Sequence, residues 1–271
     1  MKLLKPVKFD KIWGYEEWIA STHKNGPQKE FVELVKNYPL LVKIIQANDR
    51  LSIQLHPDDE TAVRLEGKGS SGKTECWYVL DAKPGAKLVY GLKKAYSKDE
   101  LKKAVEENTL ENLLNLTEVK KGDFIYIPSG TVHAIGGGLR LLEVQQNCDV
   151  TYRLYDWGRP RELQIEKGLQ AVKSAEADNT QIKPLDDSFE CPYFQLTKKS
   201  FQGGWSYFVS TTSNYELLYI DSGNNLSATF TTPDGVRTEN MYLYPEQIYA
   251  VAPGEKVTIE GKGQVIRIKT K

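Results

Sequence analysis

Apolar residues along the chain gather in short runs: YEEWIAS, PLLVKIIQA, LSIQLH, ECWYVLDA, AKLVYGL, FIYIP, LRLLEVQQ and VTYRLYDW. They are rich in β-branched and aromatic side chains and are bounded by glycine, proline and polar clusters, a pattern that predicts the strands of a sandwich or barrel. Two stretches break it. In SKDELKKAVEENTLENLLNL, residues 97–116, Ser97 and Glu100 form a capping box and leucines follow at helical intervals, which predicts a helix. RELQIEKGLQAV, residues 161–172, predicts a second, with Gly168 as its weak point. The polar segment KSAEADNTQIKP, residues 173–184, reads as a linker, and from YFQLTKKSF onward the strand pattern returns.

The pattern also repeats. FIYIPSGTVHAIGGGLRLLEV, residues 124–144, aligns on IYAVAPGEKVTIEGKGQVIRI, residues 248–268, with Gly130 on Gly254 and His133 on Val257. A duplicated strand–turn–strand unit whose second copy lacks the histidine implies one working site and one structural copy. The expected architecture is all-β, with two jelly-roll barrels. The first spans residues 1–175 with a small helical insertion at about 97–116, a lid or an ornament; the second spans 185–271 and has no metal site.

At 271 residues the chain is long enough for one large core or two modest ones. Lysine plus arginine and aspartate plus glutamate both number 36, so no net field draws the protein to nucleic acid or to an anionic membrane. The first residues, MKLLKPVKFDKIWGYEEW, lack the apolar run of a signal peptide, and no stretch has the length of a membrane span; the cytoplasm is the expected compartment. Cys76, Cys148 and Cys191 lie far apart, which fits reduced thiols. None of these features sets an oligomeric state.

One stretch imitates a nucleotide site. EGKGSSGKTECWYVL, residues 66–80, carries Gly67, Gly72, Lys73 and Thr74 at the spacing of a phosphate-binding loop. Such a loop leaves a buried strand and opens a helix whose free N–H groups face the phosphates. Here DDETAVRLE before it reads as a helix and ECWYVL after it as a strand, so the glycines serve a turn.

The histidines are three: His23, His56 and His133. His23, in the turn-like THKNGPQ, is expected to be exposed and uninvolved. In LSIQLHP, Gln54 and His56 are two apart on a strand and project from one face. Glu75 opens the strand after the glycine loop, and His133 follows the PSG turn. Two imidazoles, a carboxylate and an amide oxygen suit a divalent cation of borderline softness such as zinc, with positions left open for chemistry. Trp13, Trp18, Trp77 and Trp157 are expected in the core or in pocket walls. Tyr152 and Tyr155 are expected on the side of their strand away from Arg153.

GDFIYIPSGTVH, residues 122–133, resembles the second motif of the cupin superfamily of small β-barrels, whose histidine ligates a metal. The first cupin motif usually reads His-x-His; Gln54-x-His56, with Glu75 after an inserted helix and loop, departs from it. KIWGYEEW, PLLVKIIQANDRLSIQLHPDD, GKTECWYVL, GDFIYIPSGTVHAIG and NCDVTYRLYDWGRPREL together resemble the type I phosphomannose isomerases in their short bacterial form. The resemblance implies cupin-like barrels, one zinc ion per chain on Gln54, His56, Glu75 and His133, and a catalytic arginine at Arg153. It also implies interconversion of mannose 6-phosphate and fructose 6-phosphate, a proton moving between C1 and C2 through a cis-enediol, with the sugar phosphate as partner.

On that chemistry Arg153 holds substrate oxygens in a bidentate fork. Lys73 meets the phosphate of the sugar or stays solvated. The proton carrier is open among Lys43, a cation in the apolar run LLVKIIQ whose burial would lower its pKa, Asp149, four residues before Arg153, and a metal-bound water. An iron-dependent cupin oxidoreductase and a non-catalytic sugar-binding regulator are the competing functions.

Overall fold

The strands expected from the apolar runs form, and their pairing explains why some alternate and others do not. The computed structural model describes residues 1–173, 182–232, 234–236 and 238–271, so most of the expected linker lies outside the described residues. Two compact units are present: Lys8–Trp18 with Leu41–Pro184, and Met1–Val7 with Ile19–Leu40 and Leu185–Lys271.

The first unit is built on two antiparallel sheets. The larger runs in the order Lys183–Pro184, Asp123–Ile127, Glu75–Ala82, Leu139–Gln146, Leu40–Ala47, Gly14–Ala20, Val7–Lys11. The smaller runs Tyr152–Tyr155, Ile53–Leu55, His133–Ile135, Lys87–Leu92, Leu114–Glu118. Ile45, Val79, Ile125 and Leu141 of the larger sheet meet Leu88, Tyr90 and Ile135 of the smaller in one core. The smaller sheet is covered on its other face too: Ile53, Leu55, Val89 and Ala134 pack with Leu101 and Val105 of helix Lys98–Glu106 and Leu169 of helix Ile165–Ala171. A sheet buried on both faces takes apolar residues at consecutive positions, so AKLVYGL shows no alternation. Gln54 and His133 interrupt this sheet, and they stand directly opposite each other.

The capping box at Ser97 and Glu100 is made, but its helix ends at Glu106. Asn108 turns the chain with φ of 56°, the short turn Leu110–Leu113 follows, and Leu114–Glu118 joins the sheet beside Lys87–Leu92. Leu101, Leu110 and Leu114 all reach the same core from three kinds of backbone. Helical spacing over 97–116 therefore recorded a shared destination and not a single helix.

In the second unit the early residues belong with the C-terminal sheet. Strand Lys2–Leu3 pairs with Ile248–Val251, and the buried Gln28 amide donates to the carbonyls of Lys5 and Ile19. His23 is buried here, contrary to the expected exposure, because its Nδ1 accepts from Asn25 N at 3.3 Å and closes its own turn. The sheet has seven strands, the longest being Phe194–Phe208, Glu216–Thr231 and Lys256–Thr270.

Strand register carries the repeat beyond the sequence. Glu75 pairs with Ile127 and Trp77 with Ile125; Glu216 pairs with Val251 and Leu218 with Tyr249. The sequence alignment superposes Ile127 on Val251 and Ile125 on Tyr249. The turn glycines Gly130 and Gly254 share the left-handed conformation, with φ of 85° and 81°, which side chains with a Cβ rarely adopt.

Candidate active site

The glycine loop delivers Glu75 to the interior. Gly72 lies against the start of helix Asp59–Glu66, where a Cβ would stand 2.5 Å from the carbonyl carbon of Asp58, and its N–H donates to Asp59 Oδ1 at 2.7 Å. Strand Glu75–Ala82 and no helix follows Lys73, which removes the nucleotide reading.

His56, Glu75 and His133 are each 1 % exposed, and their ligand atoms all lie within 4.8 Å of one another. Backbone carbonyls set the tautomers. His56 Nδ1 is 2.8 Å from the oxygen of Val150, and His133 Nδ1 is 2.9 Å from that of Thr131. Each Nδ1–H therefore donates outward, and each Nε2 keeps its lone pair for the interior. Those nitrogens stand 3.6 and 3.5 Å from the Glu75 oxygens. Burial, with the Lys73 charge and the neighbouring ring, pushes His56 well below the usual imidazole range. Burial takes His133 down to about 4. Burial and the charge of Glu143 bring Glu75 up to about 7. Two neutral imidazoles and a buried carboxylate, whose Oε2 accepts no aligned hydrogen bond, form a donor set that a divalent cation completes.

Lys73 is part of this cluster. Its Nζ is 2.7 Å from Glu75 Oε2 and 3.2 Å from His56 Nε2, so the solvated alternative does not apply. Burial works against its charge, but Glu75 and Glu143 raise its pKa overall. Glu143 is the residue that sequence reasoning missed. Trp77 Nε1 donates to its Oε2 at 2.9 Å, and Lys43 Nζ lies 3.2 Å from its Oε1. Burial opposes ionisation of Glu143, yet Lys73 and Lys43 hold it down to about 2. Lys43 does not reach for solvent: it is 6 % exposed, between Glu143 and Glu16, with Nζ 5.3 Å above the Trp18 ring. The available signal was two opposite charges, each interrupting an apolar run; the runs are neighbouring strands.

Arg153 sits opposite Gln54 on the adjacent strand. Its Nε donates to Ser52 Oγ at 3.2 Å, and that hydroxyl donates to Gln54 Oε1 at 3.0 Å. Its Nη1 donates to the Glu162 carbonyl at 2.9 Å. Gln54 turns its amide nitrogen to His133 Nε2 at 3.5 Å and borders the three candidate donors. Tyr152 and Leu154 are buried, and Tyr155, which pairs with Ile53 across a bulge after Arg153, packs against the same apolar cluster as Tyr152, away from Arg153 as expected. Asp149 is exposed in the preceding loop; the next residue, Val150, is the one that reaches His56. Trp13, Trp18 and Trp77 are buried, and Trp157 donates its Nε1–H to Leu51 O at 2.7 Å.

Two histidines and a carboxylate buried together and flanked by cations form a candidate metal site in a mostly β protein of the cupin type. Residues 10–102 match the family model for phosphomannose isomerase type I, catalytic domain. The mannose-6-phosphate isomerase ManA of Bacillus subtilis is 41% identical, over 89% of this chain and 88% of that protein. The crystal structure of the mannose 6-phosphate isomerase from Bacillus subtilis, 28% identical, superposes with a TM-score of 0.81 over 98% of both chains. A mannose 6-phosphate isomerase solved with zinc and yttrium bound, 14% identical, shares the fold at a TM-score of 0.75 over 100% of this chain and 99% of its own. The chain belongs to the type I phosphomannose isomerase family.

Proposed function

We propose that the protein is a cytoplasmic, zinc-dependent isomerase that interconverts mannose 6-phosphate and fructose 6-phosphate by proton transfer through a cis-enediol. The observation that carries this reading is the His56–Glu75–His133 donor cluster, with Lys73 inside it and Arg153 one strand away, in a chain of this family. For the compartment, the support is three free cysteines and, among the described residues, no helix long and apolar enough to cross a membrane. Nothing at the site favours an iron oxidoreductase or a non-catalytic regulator.

A cation held by His56, Glu75 and His133 would supply Lewis-acid stabilisation of the charge that develops on the substrate oxygens. Arg153 adds a permanent, planar charge and holds those oxygens in register. Its Nε and Nη1 are occupied by Ser52 and Glu162, which fixes the fork before substrate arrives. Lys73 brings an ammonium group to the same place in a dry setting, where a fixed charge acts most strongly. Of the two side chains considered as proton carrier, Lys43 is buried in the ion network of the site and Asp149 is exposed; we retain Lys43.

The deciding experiment is a coupled assay on mannose 6-phosphate before and after chelation, with metal content measured. Activity should vanish with the metal and return with zinc. A verified metal-free sample working at full speed would end the proposal. Lys73→Met should keep the metal and lose about 100-fold in kcat; unchanged kcat would leave Lys73 a purely structural cation.

A further inference from the structure

The second unit repeats the frame of the metal centre position by position. Glu75 opposite Ile127 is matched by Glu216 opposite Val251. Trp77 opposite Glu143 is matched by Leu218 opposite Arg267, and Gln54 opposite His133 by Tyr207 opposite Val257. The turns agree as well: Gly130 N donates to His56 O at 2.7 Å, and Gly254 N to Val209 O at 2.9 Å. His56, Glu75 and His133 thus correspond to Val209, Glu216 and Val257, and Glu143 corresponds to Arg267. Both histidine positions hold fully buried valines. The carboxylate is still there.

A carboxylate in that place requires a positive partner. Glu216, its side chain 3% exposed, accepts from Arg267 Nη2 at 2.6 Å and Nε at 3.1 Å. Lys269 Nζ stands 3.3 Å from its other oxygen. The guanidinium lies 4.1 Å over the ring of Tyr207, the residue in the place of Gln54. Charge at the matched position is therefore inverted: the anion Glu143 where a metal is to be held, the cation Arg267 where it is not.

We infer that the second unit holds a degenerate copy of the metal centre, in which the Arg267 guanidinium takes the charge role of the metal on the retained carboxylate Glu216. Three side chains, Val209, Val257 and Arg267, close this site to a divalent cation. The inference rests on the metal reading of the first unit, so the tests separate the two.

Arg267→Met should lower the midpoint of thermal unfolding by roughly 5–10 °C, since Glu216 keeps only the more exposed Lys269. Adding Glu216→Gln should recover most of that loss, which restored packing alone would not do. The site itself is tested by Val209→His/Val257→His/Arg267→Gln loaded with Co²⁺: one more bound ion per chain than the parent is expected, and it should be lost again on adding Glu216→Gln. A folded triple variant with the metal content of the parent overturns the inference. So does a melting cycle in which the Arg267 and Glu216 effects merely add, and that cycle decides if the triple variant does not fold. A parent without metal would count against the proposed function and leave the cycle readable.

Discussion

His133→Ala is expected to leave a folded protein that has lost its metal and, with it, at least about a thousandfold in turnover. His133 is one of three buried donors, and its ring is oriented by the Thr131 carbonyl, so alanine removes a ligand that no neighbour replaces. Val257→Ala, at the matched position of the second unit, is the control. It should cost about 2 kcal/mol of stability through lost burial and leave metal content unchanged. The reverse pair of results would overturn the assignment of the working site to the first unit. Metal affinity should also depend on pH in one direction. His133 and His56 are already neutral near pH 7, so the competing proton is that of Glu75, whose pKa burial and Glu143 raise to about 7. Titration calorimetry should show binding weaken about tenfold per unit below that pH and level off above it.

Arg153→Lys should keep the metal and lose roughly 100-fold in kcat. The guanidinium is held at two of its nitrogens, by the Ser52 hydroxyl and by the Glu162 carbonyl. A lysine ammonium cannot make both contacts and still present a planar face to substrate, so the loss should fall on the chemical step more than on metal content or fold. Steady-state kinetics beside a metal assay reads the difference. Full activity in this variant would deny Arg153 any special part.

Much of the site was legible because its signals are local. Gln54 and His56 share one short run, Glu75 follows a glycine turn, and His133 follows another. The helix over 97–116 was half legible: its start is a side-chain cap written in consecutive residues, but its end depends on Leu114 finding a strand partner. His23 misled because THKNGPQ reads as a surface turn, whereas its own backbone closes over it. Glu143 carried a weak signal, one acid in an apolar run, and gained meaning only when Lys43 stood beside it. Glu216 and Arg267 gave no signal of a site, since in sequence they are an ordinary acid and base far apart.

By itself the sequence determined which positions alternate, where the chain turns and which donor chemistry is available, because side-chain direction and turn geometry follow from near neighbours. Only the tertiary structure decided the partners: Glu143 with Lys43 and Lys73 in one unit, Glu216 with Arg267 in the other. The protonation of a buried group depends on the charge across from it, and strands distant in the chain supply that charge.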